Sequence, residues 1–417
     1  MSQEGVVRRL VARLSGQRIL EQIAVVEEKV GAFGRAQRET LAAQGRQIET
    51  LQAGISTRAS AEAVRSLEHR VEAIQQLVRD QDRTVSEALE RAHVLDDQGM
   101  DDRRFTRRIE ELLRHDRPVI VGPWTGEVGF ELIYWVPFVR WVVQTYGIPA
   151  ERLWVVSRGG TKAWYGDLAA HYVDAFEFCS PDAFRAATEE AKKQRRVGAF
   201  DVELARRVTA AYSLGRPDLL HPGMMYRLFM PYWKDLASSA RVEARAVYTR
   251  LAPGDDPVVS TLPAEYIAAR FYFSECFPDT PANRAFVAST IDSISRHAPV
   301  VLLNTSFAVD EHRDVQASGG RVSTIAAHMS PERNLAVQTT VISRARAFVG
   351  TYGGYSYLAP FCGVPSLAFY SERSFKVHHL HVAQQIFAKL GGASLVPLDV
   401  ATAPLMRLLS REAITAP

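Results

Sequence analysis

The sequence lacks several features that would place the protein in a special class. No apolar run in it reaches the roughly 18 residues that a membrane-spanning helix needs, and the opening MSQEGVVRRL has no apolar core of a signal peptide. Its three cysteines, Cys179, Cys276 and Cys362, are far apart and form no C-x-x-C pair, so neither a disulfide framework nor a structural zinc site is expected. We therefore expect a reduced, cytoplasmic protein.

An excess of charge of one sign is also missing. The 417 residues include 50 Lys and Arg against 47 Asp and Glu, a formal net charge of +3. That balance is too even to favour nucleic acid as the main partner. Hydrophobic residues make up 47 % and charged residues 23 %, which excludes wholesale disorder.

Proline, tryptophan and tyrosine are absent from the first part of the chain. They first occur at Pro118, Trp124 and Tyr134, and the residues before them are rich in Arg, Glu, Gln, Ala and Leu, which favour helix. Such a segment can form long helices but has too few aromatic side chains to fill a globular core. We take residues 1–115 as a helical region of its own.

The spacing of apolar residues in this region predicts a coiled coil. Steps of three and four separate the members of one series, Val64, Leu67, Val71, Ile74 and Val78. This seven-residue repeat puts a narrow apolar seam on a helix, which a second helix buries. We expect the seam to form a homo-oligomer, and the alternative is a helical hairpin folded on its own chain. The number and orientation of the helices stay open.

The first helical turns carry a basic, amphipathic pattern. Val7, Leu10, Val11 and Leu14 share one helix face, and arginines occupy the others. A basic amphipathic helix can lie on an anionic membrane surface, here the inner membrane, although such a stretch can equally be the start of a helical bundle. Both alternatives stay open.

After Pro118 the pattern changes to short apolar runs that alternate with helical stretches. We predict strands at 118–121, 153–156, 266–273, 299–303, 347–349 and 366–370. Alternation of this kind is typical of an α/β fold with parallel sheets. The linker at 253–257 divides it into two Rossmann-like domains, 116–252 and 258–417, and ligands of such sheets bind at the carboxyl ends of the strands.

The most informative segment for binding is VGTYGGYSY, in which a predicted strand ends in a glycine turn and a helix follows. Glycines let backbone amides approach a ligand, and a helix start favours an anion such as a diphosphate. The candidate donor-binding residues of this turn are Thr351, Tyr352, Gly353, Gly354 and Ser356.

Residues 334–371 resemble the nucleotide-sugar-binding half of GT-B glycosyltransferases, in particular heptosyltransferase-like members. The shared order is a small-residue turn after a strand, a helix, then Gly-Val-Pro and a strand. The rest of 118–400 is similar in architecture alone, and the acidic D-S/T-G turn of heptosyltransferases is replaced here by Tyr352-Gly353-Gly354. The alternative is another Rossmann-like domain with a glycine turn. The resemblance implies that Asn334 meets the nucleotide, and Asn304, at the end of a strand, is a further donor-side candidate.

The segment VGPWTGEVGFELIYW follows the first predicted strand and holds two candidate catalytic carboxylates. The resemblance implies that an acid in this loop deprotonates the acceptor hydroxyl, which makes Glu127 the first candidate base and Glu131 the second. The alternative is that these acids only complement a helix dipole. Trp124 is a candidate for stacking on the acceptor sugar.

Two arginines are candidates for anion binding. Arg158 begins a loop after the second strand and is placed on the acceptor side. Arg270 lies within an apolar strand, where its guanidinium either contacts a phosphate or forms a buried salt bridge. Asp310, His312 and Asp314 have the residue types of metal ligands, but a solvated charge run is the expected state.

These features together predict a metal-independent glycosyltransferase with a nucleotide-sugar as co-substrate and no other cofactor. The acceptor would be a glycan or glycolipid of bacterial surface polysaccharide synthesis. Two alternatives stay open. One is a non-catalytic coiled-coil scaffold with a degenerate sugar-nucleotide-binding body, and the other is a nucleotide-sugar epimerase of the GT-B type.

Overall fold

The computed structural model describes residues 102–402, apart from 191–193, 253–254, 306, 308–312, 316–319 and 376. It also describes residues 39, 42–43, 46–47, 49, 66, 68–77 and 79, all of which are helical. The chain forms two compact units, Met1–Arg103 and Arg104–Pro417.

Most of the predicted coiled coil lies outside the described residues. Of the seam quoted above, Val71 and Ile74 are described, and both are helical and half-buried. The basic face at residues 7–14 is outside the described part as well. Coiled coil, oligomer and membrane contact therefore stay predictions. None of the described helices is both long and apolar enough to cross a bilayer.

The second unit opens with a helix that ends at Leu113 and packs into the core. Phe105, Ile109 and Leu112 are buried on this helix. The Phe105 ring lies 5.7 Å from both the Phe138 and the Trp141 rings, measured between ring centroids. These contacts place the helix in the same hydrophobic core as the first sheet.

Four parallel strands form the first sheet, in the order β3-β2-β1-β4. They are β1 (Val119–Val121), β2 (Leu153–Ser157), β3 (His171–Asp174) and β4 (Asp218–Leu220). We call residues 119–233, around this sheet, the N-terminal lobe. All three side chains of β1 are buried, as expected of a strand whose two faces are both covered.

Six parallel strands form the second sheet, in the order β12-β11-β10-β5-β7-β9. They are β5 (Ile267–Arg270), β7 (Val300–Leu302), β9 (Val322–Thr324), β10 (Ala347–Thr351), β11 (Ser366–Tyr370) and β12 (Leu395–Asp399), and a separate antiparallel pair joins β6 (Tyr272–Phe273) to β8 (Arg313–Asp314). We call residues 267–399 the C-terminal lobe. The predicted α/β class is confirmed, whereas the predicted boundaries at 115, 252 and 258 stay predictions.

Helices cover both sheets and connect their strands. The α-helices after the first strand are α1 (Val128–Phe130), α2 (Val136–Tyr146), α3 (Lys162–Tyr165), α4 (Pro181–Glu190), α5 (Ala199–Ala211), α6 (Pro222–Trp233), α7 (Ala240–Glu243), α8 (Pro281–His297), α9 (Asn334–Ser343), α10 (Gly354–Phe361) and α11 (Val377–Lys389). Short 3₁₀ turns lie at Ala150–Arg152, Gly166–Leu168, Ala175–Glu177, Pro257–Thr261, Ala326–His328 and Val400–Thr402. A π-helical turn, Glu131–Trp135, joins α1 to α2 without a break.

The strand order of each sheet reverses at one point. In the C-terminal lobe the chain runs outward from β5 through β7 to β9 and then outward on the other side from β10 to β12. This is the 3-2-1-4-5-6 order of a dinucleotide-binding fold, with the reversal between β5 and β10. The N-terminal sheet has the corresponding 3-2-1-4 order, with the reversal between β1 and β4. Crevices that bind ligands open at such points.

Two close contacts join the segment after β2 to the helix α9 of the other lobe. The carbonyl oxygen of Gly159, after β2, accepts hydrogen bonds from the amides of Leu335 (2.8 Å) and Ala336 (2.9 Å) in the first turn of α9. The Trp164 indole N–H donates to Thr339 Oγ1 at 3.0 Å, also across the lobes. The N-terminal lobe thus supplies the cap of α9, whose own preceding residue offers no side-chain cap.

Candidate functional site

A cleft of about 870 Å³ lies between the lobes, at the carboxyl ends of their strands. Its wall is built mainly from loops that follow strands. These segments are residues 125–130 after β1, Arg158 after β2, 272–276 at β6, 352–355 after β10 and 374–375 after β11. The cleft therefore lies where the topology of both sheets predicts a ligand.

The starts of α1 and α10 meet at the floor of the cleft. A Cβ atom on Gly354 would lie 2.8 Å from Val128 Cβ and 2.9 Å from the Gly129 amide nitrogen, so only glycine permits this packing. A Cβ atom on Gly353 would lie 2.0 Å from the Tyr272 hydroxyl. A helix N-terminus carries partial positive charge, which favours an anionic ligand.

Glu127 is an exposed carboxylate at the start of α1, in a cleft whose lining also includes Glu189, Glu275 and Asp279. It precedes α1 in an extended conformation, and its side chain makes no capping hydrogen bond. Burial and then the charge of Glu127 raise the pKa of Tyr226 above its ordinary value. A carboxylate placed in this way can accept a proton from a bound hydroxyl group.

Glu131 lies behind the cleft wall rather than in it. Its side chain is fully buried, and its Oε1 atom accepts hydrogen bonds from the Ser157 hydroxyl (2.5 Å) and the Tyr165 hydroxyl (2.9 Å). Burial raises the pKa of Glu131 to about 7, against the opposing effects of the Arg158 charge and these hydroxyl groups. The Oε2 atom is buried with no hydrogen-bond partner. The second predicted base therefore has no access to a ligand in the cleft.

Arg158 supplies a cation to the cleft wall. Its guanidinium donates to the Gly126 carbonyl oxygen at 2.8 Å and lies over the Phe184 ring, 5.5 Å from the centroid. The side chain is almost completely buried, and its Nε atom has no hydrogen-bond partner. The structure thus brings Arg158 and Glu127 into one cleft, and the predicted roles of Glu127 as base and Arg158 in acceptor binding stay predictions.

Only the middle of the predicted glycine turn lines the cleft, and the residues on either side of it are buried. Tyr352, Gly353 and Gly354 line the cleft. Thr351 is buried, and its hydroxyl exchanges two hydrogen bonds with the backbone of Tyr272, at 2.9 and 3.0 Å. The Ser356 hydroxyl donates to the Gly353 carbonyl oxygen (2.7 Å) and accepts from its amide (3.1 Å). Both hydroxyl groups are therefore used to shape the turn.

Arg270 is held in a buried ion pair and does not line the cleft. Its Nη2 and Nε atoms both lie 3.2 Å from Asp314 Oδ1, and its Nη1 donates to Gln338 Oε1 at 2.5 Å. The guanidinium also lies over the Tyr355 ring, 4.1 Å from the centroid. This geometry matches the salt-bridge alternative, with Asp314 as the partner.

Three other predicted site residues lie outside the cleft lining. Trp124 is fully buried and stacks on Trp135, with ring centroids 5.9 Å apart, so core packing leaves no face for a sugar. The Asn304 amide nitrogen donates to the Val315 carbonyl oxygen at 3.0 Å. Asn334 donates to the Pro331 carbonyl oxygen at 2.6 Å, beside the contact between the lobes.

Sequence reasoning missed several cleft residues. Tyr272 and Cys276 follow β5 at the reversal point of the second sheet and line the cleft. The sequence signal that could have indicated them is the short loop at the end of the strand predicted at 266–273. His379 was not missed, because its histidine-rich segment left contact with a nucleotide and exposure to solvent equally open. It reaches the cleft from α11, and its Nδ1 atom lies 2.7 Å from the Tyr134 hydroxyl. Among the described residues, no group of three or more His, Cys, Asp or Glu could hold a metal ion, and Asp310 and His312 are outside that set.

No family model matches the chain, and no curated protein is a significant match. Solved structures that resemble it include a glycosyl transferase of family 9 from Veillonella parvula, which is 10 % identical, with 71 % of this chain and 89 % of that chain covered and a TM-score of 0.37. The ADP-heptose lps heptosyltransferase II of E. coli is 11 % identical over 61 % and 84 %, with a TM-score of 0.34. The glycosyltransferase SnogD from Streptomyces nogalater is 13 % identical over 70 % and 99 %, with a TM-score of 0.32. All three are glycosyltransferases, but TM-scores this low assign no function.

Proposed function

We propose that the protein is a glycosyltransferase of the GT-B type, which moves a sugar from a nucleotide-sugar donor to a glycan or glycolipid acceptor. One observation carries this proposal: the reversal points of two Rossmann-like sheets face a single cleft that holds an exposed carboxylate, Glu127, beside two helix starts. The volume of about 870 Å³ lies in the range of small-molecule and cofactor sites.

The donor diphosphate would lie against the turn before α10. Gly353 and Gly354 line the cleft, and the helix start favours negative charge. Arg158, which the sequence placed on the acceptor side, faces the same cleft from the N-terminal lobe, and we assign it instead to the diphosphate. Fixed positive groups on both sides would stabilise the charge that develops on the departing diphosphate, which is often the largest catalytic contribution.

Glu127 would act as the base. It follows β1 in the N-terminal lobe, where an acceptor would enter, and its carboxylate is exposed to the cleft. In this role the carboxylate takes the proton of the acceptor hydroxyl as that oxygen attacks the anomeric carbon, and the nucleoside diphosphate leaves with the electron pair of the broken bond. We propose that no metal ion takes part.

The remaining regions have accessory roles in this proposal. Residues 1–115 would oligomerise the enzyme through a coiled coil, or hold it at a set distance from a partner or from the inner membrane. Residues 116–252 would present the acceptor, and residues 258–417 would bind the donor. Bacterial surface polysaccharide synthesis is the proposed pathway.

The test is incubation of the full chain with UDP-, GDP-, ADP- and CMP-sugars, alone and with candidate glycan acceptors, while release of the nucleotide is measured. Nucleotide release from one donor that increases with acceptor supports the transferase. Saturable donor binding without turnover would instead identify a scaffold. Conversion of the donor sugar to its epimer without release would identify an epimerase.

A further inference from the structure

The loop at 157–161, after β2, touches both the cleft and the opposite lobe. Arg158 lines the cleft, and the Gly159 carbonyl oxygen caps α9 of the C-terminal lobe. Gly159 and Gly160 have φ angles of +69° and +77°, in the left-handed region that favours glycine. A Cβ atom on either glycine would lie 2.9 Å from a side chain of α9. The backbone of this loop therefore has an unusual conformation, which contacts with other groups must stabilise.

The carboxylate of Glu131 accepts hydrogen bonds from both ends of this loop. Its Oε1 atom accepts from Ser157 Oγ at 2.5 Å, immediately before Arg158, and from Thr161 Oγ1 at 3.5 Å, at the other end. The Tyr165 hydroxyl completes the set at 2.9 Å. Because Glu131 lies on the π-helical turn directly after α1, it connects the loop to the helix that follows Glu127.

Arg158 acts on this carboxylate through its charge, without a direct hydrogen bond or ion pair. Its positive charge is the largest influence that lowers the pKa of Glu131 against the effect of burial. The Oε2 atom of Glu131 and the Nε atom of Arg158 are both buried without a hydrogen-bond partner. Each such atom costs free energy, so the other contacts of the two side chains must hold them in place.

We propose that Glu131 is a positioning residue: it holds the 157–161 loop so that Arg158 is presented to the negatively charged part of the bound donor. The identity of that anion rests on the proposed function, whereas the claim that Glu131 positions the loop is independent of it. Glu131 acts through Arg158, since it is itself fully buried.

The titratable groups that face Glu131 are few. They are Arg158 on the loop, Tyr165 on α3, and Tyr172 and Asp174 on β3. Burial, as the largest cause, holds the pKa of both tyrosines well above the ordinary value, so both stay neutral donors at neutral pH. Asp174 accepts from the Gly160 amide at 2.7 Å, and burial raises its pKa to about 6. Only Glu131 and Asp174 change charge between pH 5 and pH 8 in this set.

The test compares Glu131→Gln with the wild-type chain by titration calorimetry, with UDP, GDP and ADP as probes. Loss of a negative charge beside an anion site would by itself tighten binding, whereas loss of the positioning contact weakens it. We expect the variant to bind the probe about tenfold more weakly at pH 8, in line with the loss of hydrogen bonds to a charged group. Equal or tighter binding would overturn the inference.

The pH profile separates positioning from a general loss of structure. At each pH we compare the ratio of the wild-type affinity to the Glu131→Gln affinity, because the titration of the probe affects both equally and cancels. We expect that ratio to be largest at pH 8 and to approach one at pH 6, where Glu131 is protonated in the wild type. Asp174→Asn is the comparison variant, because Asp174 also holds the loop, at the Gly160 amide, but its pKa is about 6. Its removal should leave the change near pH 7 in place. A ratio that does not vary with pH would overturn the inference.

A third measurement needs no ligand. The Thr161 amide donates to the Tyr172 hydroxyl at 2.9 Å, so its hydrogen exchange reports on the loop. We expect Glu131→Gln to speed that exchange at least tenfold, while exchange in β1 is unchanged. If no probe binds the wild type, the donor assignment fails. The hydrogen exchange of the Thr161 amide then tests by itself whether Glu131 positions the loop. Unchanged exchange at Thr161 would then contradict it.

Discussion

Gly354 of the C-terminal lobe packs directly against Val128 of the N-terminal lobe, and a Cβ atom on the glycine would lie 2.8 Å from the valine Cβ. These two residues open the helices α10 and α1 at the floor of the cleft. The contact fixes the distance between the candidate donor turn and the candidate base, since moving either backbone away would break the packing at the floor of the cleft.

Gly354→Ala tests this packing. The added methyl group must displace Val128 or the Gly129 backbone, so we expect the free energy of unfolding to fall by about 1–3 kcal/mol. Chemical denaturation measures the change. Gly320→Ala is the matched control, because a Cβ atom there meets nothing within 4 Å. Equal stability of the two variants would show that the lobes do not touch at this point.

Buried carboxylates make the stability of the protein depend on pH. Burial, as the largest cause, raises the pKa of Glu131 from 4.5 to about 7. Its folded form therefore binds a proton more tightly than its unfolded form, so the stabilisation is complete below pH 4.5 and is lost as the pH rises through 7. We expect a loss of about 3 kcal/mol over this window.

Denaturation of the wild type and of Glu131→Gln across pH 5–8 measures this contribution. The variant should lose clearly less stability over the window than the wild type. Asp174 adds a loss of the same sign, with a pKa raised by burial to about 6, and keeps part of the dependence in the variant. Identical pH profiles for the two proteins would show that Glu131 does not titrate in this range.

Arg158 and Arg270 should behave differently when replaced by alanine. Arg158→Ala removes a cation from the cleft, so we expect the affinity for the nucleotide-sugar to fall about tenfold. Arg270→Ala leaves Asp314 buried without its partner, so we expect the free energy of unfolding to fall by about 3–5 kcal/mol. Calorimetry and denaturation of both variants distinguish the effects. Loss of donor binding in a stable Arg270→Ala protein would instead place that arginine in the site.

Oligomerisation through the N-terminal region is tested by light scattering. We expect the full chain to have a mass of two or more copies and a chain that begins at Arg104 to be monomeric. The cut belongs before Phe105, since Phe105, Ile109 and Leu112 pack in the core of the second unit. A monomeric full chain would remove the coiled-coil proposal.

Short apolar runs were enough to predict much of the fold. Strands such as β1 and β11 are continuous apolar segments bounded by turns, and the glycine turn at 352–354 follows one of them, so its place in the cleft could be expected. The register and order of the strands determine which loops meet, and no single run of sequence contains them. Tyr272 was missed for this reason.

Charged and aromatic residues were harder to place. Arg270 in an apolar strand looks the same whether it binds a phosphate or Asp314, and its partner is distant in sequence. Trp124 and Glu131 lie in the same segment as Glu127, yet the first stacks in the core and the second lies behind the wall. The path of the backbone from β1 through the π-helical turn decides which side chains of that segment reach the cleft.

Glu127→Gln tests the central claim most directly, with nucleotide release from the active donor as the measurement and Glu265→Gln, an acid outside the cleft that pairs with Arg346, as control. Removal of the base should lower turnover by about 10²–10⁴-fold, leave donor affinity within about threefold, and leave the control at wild-type rates. Full turnover by Glu127→Gln would contradict the account of the site.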